Sequence, residues 1–352
     1  MKTTKQMGFF QQPGEQMKEA RLYTRAEGGN ASCRLCAFRC RVHVGKRGIC
    51  GVRENVDGVL YTHTWGRVVA ANVDPIEKKP LYHFQPSSRS YSIATAGCNF
   101  KCLHCQNSDI SQMPRDKGVV LGEETTPEEI VNDAYETGST SISYTYTEPT
   151  IFFEFAQDIG ALARDRGLKN VFVTNGYMTA DCIGELKGFL DAANIDLKSF
   201  SDSFYKKVCG AKLTPVLESI ERMRSAGIWV EITTLLIPGM NDSDQELKEI
   251  ARWIADTDAA MPWHISAFHP SYKMMDIPPT SLETLERARE IGIAEGLRYV
   301  YTGNIPNSKG ESTYCYSCGQ LLIERRGFVV KKNVIEDSKC PGCASAIDGV
   351  DL

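Results

Sequence analysis

Cys98, Cys102 and Cys105 stand in a C-x3-C-x2-C run directly after a short apolar stretch at 92–97. Four-iron clusters are ordinarily held by four Cys thiolates, so a compact set of three points to a cluster with one iron left open to a small molecule. The competing reading is a zinc knuckle or a set of buried thiols. Zinc closes its structural sites with a fourth Cys or His, and His104, wedged between two of the cysteines, is badly placed to be that ligand. An open iron also predicts oxygen sensitivity, readable as loss of cluster absorbance in air.

Eleven of the thirteen cysteines fall in three groups of this kind. The first, Cys33-x2-Cys36-x3-Cys40-x9-Cys50, lies among Arg39, Arg41, Lys46 and Arg47. Zinc or an auxiliary Fe–S cluster would neutralise four crowded thiolates, and the spacing does not choose between them; His43 is a rival ligand and unliganded thiols are the plain alternative. The basic residues read as compensation for that negative charge. The last group, Cys315-x2-Cys318-x21-Cys340-x2-Cys343, has the paired knuckles of a tetrahedral four-cysteine site in a zinc-ribbon or rubredoxin-like module. Zinc there would be structural, and iron would make the module a one-electron relay; zinc is the expectation. Cys182 and Cys209 stand alone and read as small buried hydrophobes.

These groups need elements to position them. From residue 92 onward, short apolar runs at 92–96, 141–146, 170–174, 193–197, 228–236, 263–268 and 298–301 alternate with amphipathic stretches at 127–137, 150–166, 180–190, 215–226, 243–255 and 281–295. Strands alternating with helices predict a parallel α/β sheet. Six or seven such units fit a partial (β/α)6-type TIM barrel, and an open doubly wound sheet would give a similar pattern. Pro127 and Pro149 suit helix starts. The expected organisation is a polar, loosely held segment at 1–30, a Cys-rich extension at 31–90, the α/β core at 91–309 and a small four-cysteine module at 310–352.

In such a barrel, reactive groups sit where strands run into the following helices. The Cys98 loop follows the first strand, and Glu148-Pro149 follows the second, where an acidic helix start is an adequate structural account. Asn175-Gly176 ends the third strand. Asp196 and Lys198, two apart at the end of the fourth, point to the same side, as a binding pair or a surface ion pair. His269 ends the sixth strand and is a candidate contact for a bound cosubstrate or substrate.

A net charge of −4 with 24% charged residues gives no general attraction for nucleic acid or anionic lipid. The sequence has no run of eighteen apolar residues and no secretory-type start, so the expectation is a cytoplasmic protein without a membrane span, its cysteines kept for metals rather than disulfides.

The loop 97–107 resembles the cluster loop of the radical SAM superfamily, with His104 where an aromatic residue usually precedes the last Cys. Glu148-Pro149 resembles the end of that superfamily's Gly-Gly-Glu-Pro-like segment, with Tyr146-Thr147 replacing the glycines. The Asp196-x-Lys198 segment resembles the part of glycyl-radical-enzyme activases that contacts S-adenosylmethionine. Together with 33–36, 48–53, 144–153, 171–178, 205–211, 231–242 and the terminal Cys pairs, the chain is similar to the radical SAM enzyme of the AmmeMemoRadiSam system, a branch of the pyruvate formate-lyase activating enzyme family. The resemblance implies a [4Fe-4S] cluster on Cys98, Cys102 and Cys105. It implies S-adenosylmethionine held by Glu148, Asn175, Asp196 and Lys198 with His269 nearby, a low-potential electron donor, and a link to Memo-type and AMMECR-type proteins. The implied reaction is reductive cleavage to a 5′-deoxyadenosyl radical that takes hydrogen from an unidentified substrate. Activation of a glycyl radical enzyme is the second reading. A non-catalytic Fe–S or zinc binding protein is the third.

Overall fold

The computed structural model describes residues 17–305 and 309–352. Eight strands form one sheet in strict chain order: β1 (Ala70–Pro75), β2 (Arg89–Ala94), β3 (Ser141–Tyr144), β4 (Lys169–Thr174), β5 (Ala192–Asp196), β6 (Trp229–Leu236), β7 (Trp263–Ala267) and β8 (Val300–Gly303). Strands β2 to β8 are parallel, and β1 pairs antiparallel with β2 along the edge. Helices fill the crossovers: α1 (Pro127–Glu136), α2 (Phe153–Asp165), α3 (Ala180–Leu186), α4 (Thr214–Ser225), α5 (Asp244–Asp258) and α6 (Leu282–Ala294). A doubly wound sheet reverses its strand order at a switch point. Here no reversal occurs, so the sheet winds one way, as in a barrel, and stays open among the described residues, with β1 and β8 at its edges.

The local chemistry explains these elements. Thr126 closes a capping box with Glu129, and Pro127 occupies the first turn of α1, where a missing N–H costs nothing. Ser243 and Ser281 cap α5 and α6 more simply, their hydroxyls accepting from the Glu246 and Thr284 N–H groups. Pro149 opens a 3-10 turn, Pro149–Phe152, that leads into α2 rather than starting it directly. All four residues of β3 are buried, as expected of a strand covered on both faces. Ile93, Ile142, Phe172, Ile195, Ile232 and Ile265 line the core, each such side chain worth about 1.5–3 kcal/mol on burial.

The flanking segments join this core closely. Residues 70–75, within the stretch expected to form the extension, supply the sheet's antiparallel edge. Of the segment expected to be loose, residues 1–16 lie outside the described residues. The rest is tied down: Tyr23–Ala26 pairs with Asn30–Cys33, and the Arg21 N–H donates to Glu154 at 2.7 Å. At the other end, β9 (Thr313–Tyr314), β10 (Leu321–Arg326) and β11 (Val329–Asn333) make a small antiparallel sheet. Its Leu322, Ile323, Cys315 and Cys340 bury against Tyr82, Tyr299 and Tyr301 of the core.

His83 fastens that junction. Its Nδ1–H donates to the Asp348 carbonyl at 2.6 Å and its Nε2 accepts from the Tyr301 hydroxyl at 2.5 Å. Burial pushes its pKa down to about 4; Arg325 and His264 act in the same direction, against Glu231 and the Asp348 carbonyl. The unfolded chain therefore takes up this proton first, and stability is lost as pH falls from about 6.5 towards 4, about 2 kcal/mol of it by about pH 5. Denaturant midpoints at pH 7 and pH 5 are expected to differ more for the native chain than for His83→Gln. Equal pH dependence in the two would contradict this.

Candidate active site

The C-terminal ends of the strands surround a cavity of about 550 Å³, a size suited to a small-molecule cosubstrate. Cys98, Cys102, Cys105, Glu148, Asn175, Asp196 and Lys198 all line it.

The Cys98 loop follows β2. Gly97 takes φ +113°, and a Cβ there would lie 2.8 Å from Val52 Cγ1, so only glycine fits this approach. The loop is clamped by backbone: Lys101 N–H donates to Cys209 O and Leu103 N–H to Val208 O, each at 3.0 Å, and Lys273 N–H donates to Leu103 O at 2.9 Å. Burial pushes the Cys98 and Cys105 thiols up. A hydrogen bond with Cys209 holds Cys102 below the usual thiol value, and the Lys198 charge assists against burial.

The residues present fit a four-iron cluster. Among the described residues, the one set of three or more Cys, His, Asp or Glu ligand atoms mutually within 4.8 Å is that of Cys315, Cys318, Cys340 and Cys343. The Cys98, Cys102 and Cys105 sulfurs do not converge so closely, which leaves room between them for iron and sulfide. Beside them, buried Asn99 Nδ2 and His104 Nδ1 have no hydrogen-bond partner among the described residues. The terminal set is tight, with Cys315–Cys343 and Cys318–Cys340 sulfurs 3.6 Å apart, and fits a single tetrahedral metal ion.

Asn175 Nδ2 donates to Asn99 Oδ1 at 2.7 Å and lies 3.9 Å from Cys98 Sγ, so the end of β4 reaches the Cys loop. Lys198 Nζ pairs with Asp196 at 2.8 Å, so the two share a side. Burial opposes the Lys198 charge, but Asp196 together with Cys102 and Cys209 more than offsets it and holds the ammonium above its ordinary value. Glu148 is buried and its carboxylate is engaged internally. It accepts from Thr150 N at 3.0 Å, Thr150 Oγ1 at 2.6 Å, Thr174 Oγ1 at 2.7 Å and Asn175 N at 2.8 Å. Burial still raises its pKa against those donors. Its visible work is to cap the turn at Pro149 and join the ends of β3 and β4. His269 lies apart: it is exposed, contacts Asn304 O at 3.1 Å, and is not among the lining residues.

His264, the second residue of β7, is a histidine that does reach the cavity. It lines the cavity, and its Nε2–H donates to buried Glu231 at 2.6 Å. Tyr146, standing where the resembled segment has glycine, takes φ +60°, a left-handed conformation costly for a tyrosine. Its hydroxyl hydrogen-bonds Asp74 and its carbonyl accepts from Asn107 Nδ2 at 2.7 Å, which together hold it there. Asp74 also pairs with buried Lys79 at 2.6 Å, whose pKa burial pushes down to about 8 despite that partner. Cys209, read as a buried hydrophobe, is buried but also faces Cys102.

In the N-terminal extension, burial and the neighbouring Cys33, Cys50 and Cys40 push the Cys36 thiol up. Buried Arg53 donates to Cys33 Sγ at 3.5 Å.

Residues 92–254 match the family model described as the radical SAM superfamily. An uncharacterized protein of Methanocaldococcus jannaschii is 47% identical over 335 residues, covering 94% of this chain and 99% of its own length. The pyruvate formate-lyase-activating enzyme of Staphylococcus epidermidis is 23% identical over 233 residues, covering 61% of this chain and 90% of its own. The solved structure of Streptococcus suis SuiB bound to the precursor peptide SuiA superposes with a TM-score of 0.50 at 13% identity, over 65% of this chain and 51% of that one, a likeness of fold alone. No helix among the described residues is long and apolar enough to cross a membrane. With the open Cys triplet at the strand ends, these likenesses make the chain a radical SAM enzyme, a member of a superfamily that works with a [4Fe-4S] cluster and S-adenosylmethionine.

Proposed function

We propose that this chain initiates radical chemistry on a substrate of the AmmeMemo system, with Memo-type and AMMECR-type proteins as its partners. The observation that carries the radical step is the shared cavity of Cys98, Cys102, Cys105, Asn175, Asp196 and Lys198. The chemistry that the cluster and S-adenosylmethionine supply when bound is one-electron cleavage of the S–C5′ bond, which yields methionine and a 5′-deoxyadenosyl radical able to remove a hydrogen atom. The chain's own residues bind and orient. Cys98, Cys102 and Cys105 would hold three irons. Asn175 and the Asp196–Lys198 pair present fixed polar groups beside them, suited to the carboxylate, amine and hydroxyls of the cosubstrate. Phe328 of the terminal module and Tyr146 also line the cavity and would help to limit water there. We assign zinc to the terminal four-cysteine set, whose spacing supports one tetrahedral ion and no cluster.

Two observations bear on the substrate. The long in-order likeness to the AmmeMemoRadiSam enzymes supports the first reading. The activating-enzyme relative supports the second, activation of a glycyl radical enzyme, but it covers 61% of this chain. The test is anaerobic incubation of the loaded chain with S-adenosylmethionine, reductant and either purified Memo-type and AMMECR-type proteins or a glycyl radical enzyme from the same genome. The first reading expects 5′-deoxyadenosine to rise with the former pair. A glycyl radical signal from the latter, with no response to the pair, would overturn it.

Lys198→Met keeps bulk and removes charge. Losing one charge-assisted contact costs about 1.5–3 kcal/mol, so S-adenosylmethionine affinity is expected to fall about tenfold or more. Unchanged affinity by equilibrium binding would remove Lys198 from the cosubstrate site.

A further inference from the structure

We propose that Cys33, Cys36, Cys40 and Cys50 hold a second iron–sulfur cluster, of the four-iron class, placed to pass electrons to the Cys98 site. The spacing of the thiols carries the first part. Four sulfurs on one tetrahedral zinc stand about 3.8 Å apart, from Zn–S bonds of about 2.3 Å. The terminal four-cysteine set has that spacing, with sulfur pairs at 3.6 Å, and converges within 4.8 Å as a group. No three sulfurs of the N-terminal set do so among the described residues, and neither do those of the Cys98 triplet. The chain thus contains its own ruler: one tight set matched to a single ion, and two wider sets. The N-terminal set, like the triplet, does not converge to single-ion spacing, and it has four ligands instead of three, so its cluster has no open iron. Arg53, buried and ion-paired with Glu154, also donates to Cys33 Sγ at 3.5 Å, a hydrogen bond directed at the set's sulfur.

The packing between the two Cys loops carries the second part. Phe38 lies between Cys36 and Cys40, and Phe100 between Cys98 and Cys102. Tyr177 stands between these rings, 4.8 Å from Phe38 and 5.1 Å from Phe100 by centroids. A second bridge is Arg115, which donates to Ile49 O at 3.2 Å, Cys98 O at 3.4 Å and Phe100 O at 3.1 Å, so one guanidinium joins the neighbour of Cys50 to the cluster loop. Gly97 against Val52 is the third contact. Two clusters in these loops are separated by a few side chains of close-packed protein. One electron from a low-potential iron–sulfur or flavin protein would reduce the N-terminal cluster. Passing it on would reoxidise that cluster and reduce the Cys98 cluster, with no bond made or broken. This use rests on the radical SAM reading of the Cys98 site; the existence of the second cluster does not.

The test uses acid-labile sulfide, which neither zinc nor a single iron on four cysteines contributes. The full chain bearing Cys98→Ala, Cys102→Ala and Cys105→Ala, reconstituted anaerobically with iron and sulfide, is expected to retain about four sulfides per chain. The unaltered chain should hold about eight, which needs no substitution and so no assumption about folding. A triple variant with sulfide near zero and zinc in its place, beside an unaltered chain with about four, would overturn the proposal. If the unaltered chain held about four, all lost on Cys36→Ala with Cys40→Ala, the second cluster would stand and the radical SAM reading of the triplet would fall. Electron paramagnetic resonance of the fully reduced chain is expected to show magnetic interaction between two clusters. A spectrum equal to the sum of the two Cys-substituted variants would overturn the relay.

Discussion

A chain carrying Cys102→Ala is expected to form no 5′-deoxyadenosine above background and to lose the iron of the main site. Cys102 sits at the centre of the loop, on the backbone clamp formed by Lys101, Leu103, Val208 and Cys209. It is the thiol whose pKa is lowered, by Cys209 first and by Lys198 with it, while burial raises Cys98 and Cys105. A ligand must be deprotonated to bind metal, and the Lys198 charge favours the Cys102 thiolate. Two remaining thiolates would not retain a cluster with one iron already open. Cys209 offers the internal control: a Cys102→Ala chain that kept its cluster through Cys209 would show full iron content, and Cys102→Ala with Cys209→Ala would then lose it. Iron and sulfide analysis alongside product assay separates these outcomes.

The second large effect is on stability. Arg53 and Glu154 form an ion pair with both side chains almost fully buried. Glu154 also accepts from the Arg21 N–H, and Arg53 donates to Arg21 O at 2.9 Å and to Cys33, so this pair ties the N-terminal extension to α2. Removing one partner leaves a buried charge uncompensated, which costs about 3–5 kcal/mol. Glu154→Ala is therefore expected to lower the stability of the metal-loaded chain, read from its denaturant midpoint, by an amount in that range. Arg53→Met with Glu154→Leu should recover most of the loss, since an apolar pair of similar volume avoids the desolvation cost. A loss below about 1 kcal/mol for Glu154→Ala would show that water reaches Arg53 and that the extension is not sealed onto the core.

What was legible in the sequence follows from the range of the interactions involved. The three Cys groups could be read because their ligands lie a few residues apart, and the α/β alternation because its periods are local. Asp196 and Lys198 were placed on one side by strand geometry alone, and the 2.8 Å contact agrees. The single winding direction was not legible, because strand order depends on which neighbours pair. Residues 70–75 were taken into the extension because they precede the Cys loop; only the antiparallel register with β2 brings them into the core sheet. His264 is not distinguished by its position in the sequence, because it lies near the start of its strand and not at the end where such barrels place reactive groups. The buried Glu231 on the adjacent strand orients His264 into the cavity, and that partner is 33 residues away. Cys209 beside Cys102, and the Phe38–Tyr177–Phe100 contact, are likewise meetings of distant segments that no local spacing announces.

The central claim, that the cavity cleaves S-adenosylmethionine at an open cluster, is tested most directly by 5′-deoxyadenosine and methionine formation. The measurement uses the anaerobically reconstituted full chain with a strong reductant, beside the Cys98→Ala chain prepared identically. The account predicts equal amounts of the two products from the native chain and neither from Cys98→Ala. Absence of both from a native chain with a verified, reducible cluster, or equal formation by the two chains, would contradict it.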